Sequence, residues 1–431
     1  MADPKTLLPW LMGAAIGVGG IMQGLHWRSL GEGPAGQEDR LKILLEENAM
    51  LKRENESLRS LAQGGGEVSV PAEAIARVEK EFGLRFISNP VVHRIASEEL
   101  RDRVAAAIES RFGPSGIDDR KEAYQWIGWL GAGDDLLSQL TVVRTTGARG
   151  WFDDVTGEAW ITDRFEDAAI PDQAAMLRLI SRILLHQHFP PPAAYLGDDA
   201  ARAREALHQG AAAGVEARFL AVNALKGGFM SMKSNVGVEQ LFASLPPFIQ
   251  GLTTFPVVEG KGYADTLHVQ GGEKLLAALR EPPLTTRKIL QAGLAEISAK
   301  RIEITGLPEE PYLSESAGQL GLRLWLERAG DVGMAHELSS SWAADRYVLV
   351  PDGEASTAVL WEIELESAEA AEKLQSVALE LISAAANASE AAKLGGIVVS
   401  ADERHFVVTR PRPTAIRFIN SATKTFAEKF K

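Results

Sequence analysis

GWFDDVTGEAWITD at residues 150–163, followed at 171–189 by PDQAAMLRLISRILLHQHF, carries two signals in close succession. The runs Trp151-Phe152 and Ala159-Trp160-Ile161 flank a DVTG turn, which predicts a β-hairpin. Pro171 and Asp172 then open a helix whose apolar residues recur at 176, 177, 180, 183 and 184. On the amino-terminal side, residues 74–83 read as a helix leading into a strand-like LRFIS. Residues 97–112 form an amphipathic helix that ends before Gly113-Pro114. On the carboxy-terminal side, DDAARAREALHQGAAAGVEARFL (198–220) and the alanine-rich 365–385 are helical. GGIVVSADERHFVVTRP (395–411) is a hairpin around ADER, with a terminal helix expected from about Thr414. This mixture, without a visible repeat, predicts an α+β region.

The 431 residues exceed the needs of one small core. With 45% hydrophobic and 24% charged residues the bulk of the chain is a globular protein rather than a disordered one or a bundle of membrane spans. Lys and Arg total 45 against 58 Asp and Glu; the net charge of -13 has the wrong sign for a nucleic-acid partner. The absence of cysteine excludes disulfides, thiolate metal sites and cysteine nucleophiles.

The first 64 residues have a different character. Leu7 to Leu25 is uncharged and, as a helix, spans about 29 Å, enough for a bilayer core. Trp10 and Trp27 sit near its two ends, and Gly13/Gly17 and Gly20/Gly24 repeat the GxxxG spacing that lets helices approach closely. The run is too long for a signal-peptide core and lacks a cleavage site, so residues 1–30 are read as a transmembrane anchor. After GEGPAGQ, residues 38–62 form heptads with Leu41, Asn48 and Asn55 at a and Leu44, Leu51 and Leu58 at d. The pairs Glu47 to Lys52 and Glu54 to Arg59 suit a short parallel homodimeric coiled coil; a single solvated spacer helix is the alternative. Gly31-x-Gly33-x-x-Gly36 has the spacing of a dinucleotide fingerprint, but Pro34 interrupts it and no strand precedes it. A second linker, QGGGEVSVPAE, hands over to the main region at 72–431.

From about residue 75 to 410 the order of motifs resembles an exported bacterial family of zincin-like metallopeptidases. That family runs from a GFYDxxTGxLY hairpin into a helix HExxHALQDQHF and then a helix bearing an EGD-type acidic motif. Here the counterparts are Gly150 to Trp160, the helix tail Leu185-His-Gln-His-Phe189, and the helix at 198–220. The stretches 245–290 and 318–367, including PPLTTRKIL and SWAADRYVLV, continue the likeness. The resemblance implies a zincin-like fold and a domain outside the cytoplasm, although Arg28, Arg40 and Lys42 after the anchor mildly favour a cytoplasmic side.

A zincin needs two histidines at i and i+4 to hold zinc and a glutamate to deprotonate its water. Alignment of the helix tail puts Arg178 and Arg182 at the histidine positions, Leu179 at the glutamate and Gln209-Gly210-Ala211 at the acidic motif. No bound cofactor is expected, and the chain reads as a non-enzyme, a degenerate pseudopeptidase that binds or scaffolds an envelope protein or peptide at the cell membrane. Arg178, Arg182 and Gln209 would line its vestigial cleft and grip an anion; alternatively the arginines pair with acids such as Glu205 or Glu216. The alternative function is an active metallopeptidase with non-standard ligands His186, His188 and His208. The first two would have to leave a continuous helix to face one metal, because two residues separate side chains by about 200°. The acid pairs Asp198/Asp199 and Glu309/Glu310 are expected to be solvated charge.

Overall fold

The computed structural model describes residues 66–431 except 114–115, 193, 228–235, 296–301, 308–309, 388–391 and 401. The chain divides into two units, Met1–Gly64 and Gly65–Lys431. The expected anchor at 1–30 and coiled coil at 38–62 lie outside the described residues. The second unit is α+β, as expected. Among the described residues no single helix is long and apolar enough to cross a membrane.

The first half of the unit begins with β1 (Glu67–Val68), α1 (Ala72–Phe82), β2 (Val92–Ile95) and α2 (Ser97–Phe112). It continues through α3 (Gly116–Ile127), α4 (Leu136–Thr145), β3 (Gly150–Phe152) and β4 (Ala159–Thr162). Two long helices follow, α5 (Ile170–His188) and α6 (Asp198–Gly227). The four strands form a sheet in the order β1-β2-β4-β3, with β2 and β4 parallel and β3 and β4 the expected antiparallel hairpin. Residues of the second linker are thus part of the fold, because Glu67 and Val68 pair with His93 and Val92. LRFIS is not a strand. Side chains replace a ladder there: the Phe86 amide donates to Glu79 at 3.1 Å and the Ile87 amide to Gln187 at 2.8 Å.

Short helices α7 (Val236–Ser244), α8 (Pro247–Thr254), α9 (Lys261–Gln270), α10 (Gly272–Arg280) and α11 (Thr286–Leu290) connect to the second sheet. Then come β5 (Leu313–Glu315), α12 (Gly318–Leu326), α13 (Val332–Ser340), β6 (Trp342–Pro351) and β7 (Thr357–Leu365). The chain closes with α14 (Ala368–Ala385), β8 (Ile397–Val399), β9 (His405–Arg412), β10 (Ala415–Ser421) and α15 (Lys424–Phe430). The strand order is β5-β6-β7-β10-β9-β8. The helix expected from Thr414 is therefore a strand, and the helix starts ten residues later at Lys424. AIRFINS is buried on both faces: Phe418 meets Trp325 edge-on at 5.8 Å, while Ile419 packs with Ala427 and Phe430 on the other side.

Every residue of α12 is buried, and the helix is the centre of the core. Its Trp325 starts a series with Trp361, Trp129 and Phe248 whose ring centroids lie 4.7–5.2 Å apart. The turn Pro256–Gly260 lies directly against α6: a Cβ on Gly260 would stand 2.3 Å from the Ala206 carbonyl oxygen. Backbone cannot yield as a side chain can. Gly260→Ala should destabilise the fold by about 1–3 kcal/mol, whereas Gly262→Ala, with no atom within 4 Å of the new methyl, should be neutral or slightly stabilising. Urea denaturation of the two variants reads the difference.

Candidate functional site

The hairpin lies on α5 because Gly150 has no side chain: a Cβ there would meet the Trp160 carbonyl at 2.6 Å and Leu179 at 2.7 Å. Leu179 is buried under the hairpin. Arg178 is 41% exposed and pairs with Glu216 of α6 at 3.3 Å. Arg182, one turn on, is buried; its guanidinium binds the Asp154 carboxylate in the hairpin turn and stacks 5.0 Å from the Phe152 ring centre. Burial by itself would raise the Asp154 carboxyl, but Arg182, then Arg111 and Arg204, hold it below the ordinary range. Gln209 faces a different partner, donating to Glu205 at 2.7 Å.

The three histidines do not converge. His186 stays inside the helix, edge-on to Phe152 at 5.9 Å and tucked beneath Gly157, whose φ of +77° makes the hairpin turn. Its imidazole is pushed down by burial. His208 is buried on α6 and held well below the ordinary imidazole value by burial first and then by Arg204 and Arg182. His188 points elsewhere, bonding the Arg85 carbonyl at 2.7 Å. Because α5 continues to His188, the helix does not end early enough to bring His186 and His188 to one point. Among the described residues no group of three or more His, Asp or Glu could hold a metal ion. The Nε2 atoms of His186 and His208 have no hydrogen-bond partner among the described residues.

A second polar cluster lies where solvated charge was expected. Asp198 and Asp199, which open α6, are 2% and 4% exposed. Asp198 receives Arg120 side-on, with nitrogens at 2.9–3.2 Å, and the hydroxyls of Tyr124 at 3.1 Å, Tyr347 at 3.0 Å and Tyr195. Burial opposes its charge, yet Arg202 and Arg120 outweigh that and hold Asp198 far below the usual carboxylate range. Glu315 binds Arg120 at 2.8 Å and the Asp198 amide at 2.9 Å; burial and the Asp198 charge push it up to about 7.

Asp199 turns the other way. One carboxylate oxygen accepts the Thr286 amide at 3.0 Å and hydroxyl at 2.6 Å, while the carboxyl lies where a Cβ on Gly318 would be. Sequence offered one local hint of this cluster, Arg202 four residues after Asp198. Apart from Tyr195, three residues before Asp198, the other partners are 74–149 residues away in the chain.

Residues 310–430, which hold the six-stranded sheet, match a family described as a domain of unknown function, DUF8575. No curated protein and no solved structure matches the chain.

Burial raises Asp199 from its ordinary value of 3.8 to about 7, against the pull of Thr286. A raised folded-state value means that the native protein holds this proton more tightly than the unfolded chain does. The contribution is complete below about pH 4 and is lost as pH climbs through 7. Asp199→Asn cannot titrate, so its stability relative to the parent should increase steadily between pH 4 and 7. Denaturation midpoints of both proteins across that range measure the trend, and parallel curves would contradict it.

Proposed function

We propose that residues 65–431 form a degenerate zincin-like domain of a membrane-anchored, dimeric binding or scaffold protein at the cell envelope. The observation that carries this reading is the chemistry at the aligned metal positions. Arg178 is engaged with Glu216 and Arg182 with Asp154, while Leu179 is buried. Guanidinium groups have no lone pair for zinc, and leucine cannot take a proton from water. The donor set therefore does not fit the metal. Supporting the fold reading, a hairpin runs into α5, and α5 packs along α6, the order of elements in the resembled family.

The rival reading, a metallopeptidase with His186, His188 and His208 as ligands, gains support from the unpartnered Nε2 atoms of His186 and His208. It is weakened by the commitment of His188 to Arg85. Elemental mass spectrometry after zinc loading and desalting separates the two. The inactive reading expects no retained zinc; near-stoichiometric zinc that His208→Ala abolishes would reverse it.

Dimerisation has its own test, made clean by the absence of cysteine. Leu51→Cys introduces a single thiol at a d position, which in a parallel pair faces its twin. Mild oxidation of membranes containing the variant should give a covalent dimer, whereas Ser57→Cys at a c position should give little. Equal cross-linking of both would argue against the zipper.

A further inference from the structure

Between α2, α3, α4, α6 and α8 lies a cavity of about 160 Å³ that takes in Gln209 of the expected cleft but neither Arg178 nor Arg182. One face of α6 supplies its wall: Asp198, Arg202, Glu205 and Gln209 recur at spacings of four, three and four residues. Opposite stand Arg111 from α2, Arg120 from α3 and Arg144 from α4.

The charges fall into two layers. In the deeper one Asp198 is held by Arg120, with Arg202 at 3.5 Å. In the outer one Glu205 lies between Arg111 at 3.2 Å and Arg144 at 3.8 Å, and also accepts from Gln209. Four guanidinium groups line the space against two carboxylates, and Glu315, behind Arg120, is the only further acid joined to them by an ion pair among the described residues. One positive charge therefore remains in excess. Arg202 is where the deficit shows: its Nη2 donates to the Tyr124 hydroxyl at 2.8 Å, while its buried Nη1 has no partner among the described residues. A buried guanidinium nitrogen without an acceptor is costly, and an anion in the adjoining cavity is the complement that would satisfy it.

We infer that this cavity binds a small oxyanion, between Arg202 at its floor and Arg111 and Arg144 at its mouth. A cavity of about 160 Å³ has room for one such group. Arg111 and Arg144 are 23% and 33% exposed and define the entry, whereas Arg120 is 6% exposed. The site does not depend on the zincin-like reading and stands apart from Arg178.

The test is calorimetric titration of the full chain in detergent with inorganic phosphate, sulfate and acetate at constant ionic strength. Saturable one-site binding of at least one anion is expected, weakened tenfold or more by Arg202→Met and by Arg144→Gln. Preference for phosphate and sulfate marks a tetrahedral ligand, and preference for acetate a carboxylate. Should Arg202→Met fail to fold, Arg144→Gln, already partly in solvent, still reads the site. Absence of saturable heat with all three anions would overturn the inference. So would binding that Arg144→Gln leaves intact and Arg178→Gln abolishes, because the anion would then lie on α5. Zinc retention in the separate experiment bears on neither outcome.

Discussion

The Asp198 carboxylate, taken almost wholly out of water, is the interaction on which the architecture turns. An ion in that position is tolerable only if donors surround it, and here they arrive from α3, β6 and α6 itself, with the segment before α6 adding Tyr195. Asp199 extends the junction in the opposite direction to Thr286 at the start of α11, whose hydroxyl also receives the Leu320 amide of α12 at 3.1 Å. Asp345 completes the set. Its carboxylate accepts the Ala317 and Gly318 amides at the head of α12 together with the indole nitrogens of Trp342 and Trp361. Three buried carboxylates thus tie α3, α6, α11 and α12 to the second sheet, and removing any one would leave several donors without acceptors.

The junction of α5 with the hairpin and α6 is maintained by a different device. The arginines of α5 diverge, Arg178 toward α6 and Arg182 toward the hairpin. The second contact is buried and stacked on Phe152, so it ties hairpin to helix by packing as well as charge. In this arrangement guanidinium groups have structural work on α5. Surplus positive charge collects instead across α6, in the cavity floored by Arg202.

Much of the local structure was legible before any tertiary information. The 150–163 hairpin and the helices at 97–112 and 171–189 announce themselves through turn chemistry, proline at the first turn and regular apolar spacing. LRFIS has the composition of a strand, but Glu79 and Gln187 reach its amides first. AIRFINS has its apolar residues at 415, 416, 418 and 419, a spacing that a helix also shows, so its place between β7 and β9 could not be read locally. The candidate site was least visible. Asp198-Asp199 looks like surface charge because acidic pairs usually are, and the partners that bury it are scattered along the chain.

Sequence alone determined the mixed class, the division between an apolar and heptad-bearing amino-terminal segment and a large globular remainder, and the chemistry at residues 178, 179 and 182. Those features depend on composition and on spacing within one or two elements, where a few neighbouring residues suffice. Tertiary structure decided which charges are buried, which arginine lacks an acceptor, and which strand fills the centre of the second sheet. The long-range contacts that bury Asp198 and Asp199 join residues 74–149 positions apart. Their energies depend on the water removed from between them, which no local pattern encodes.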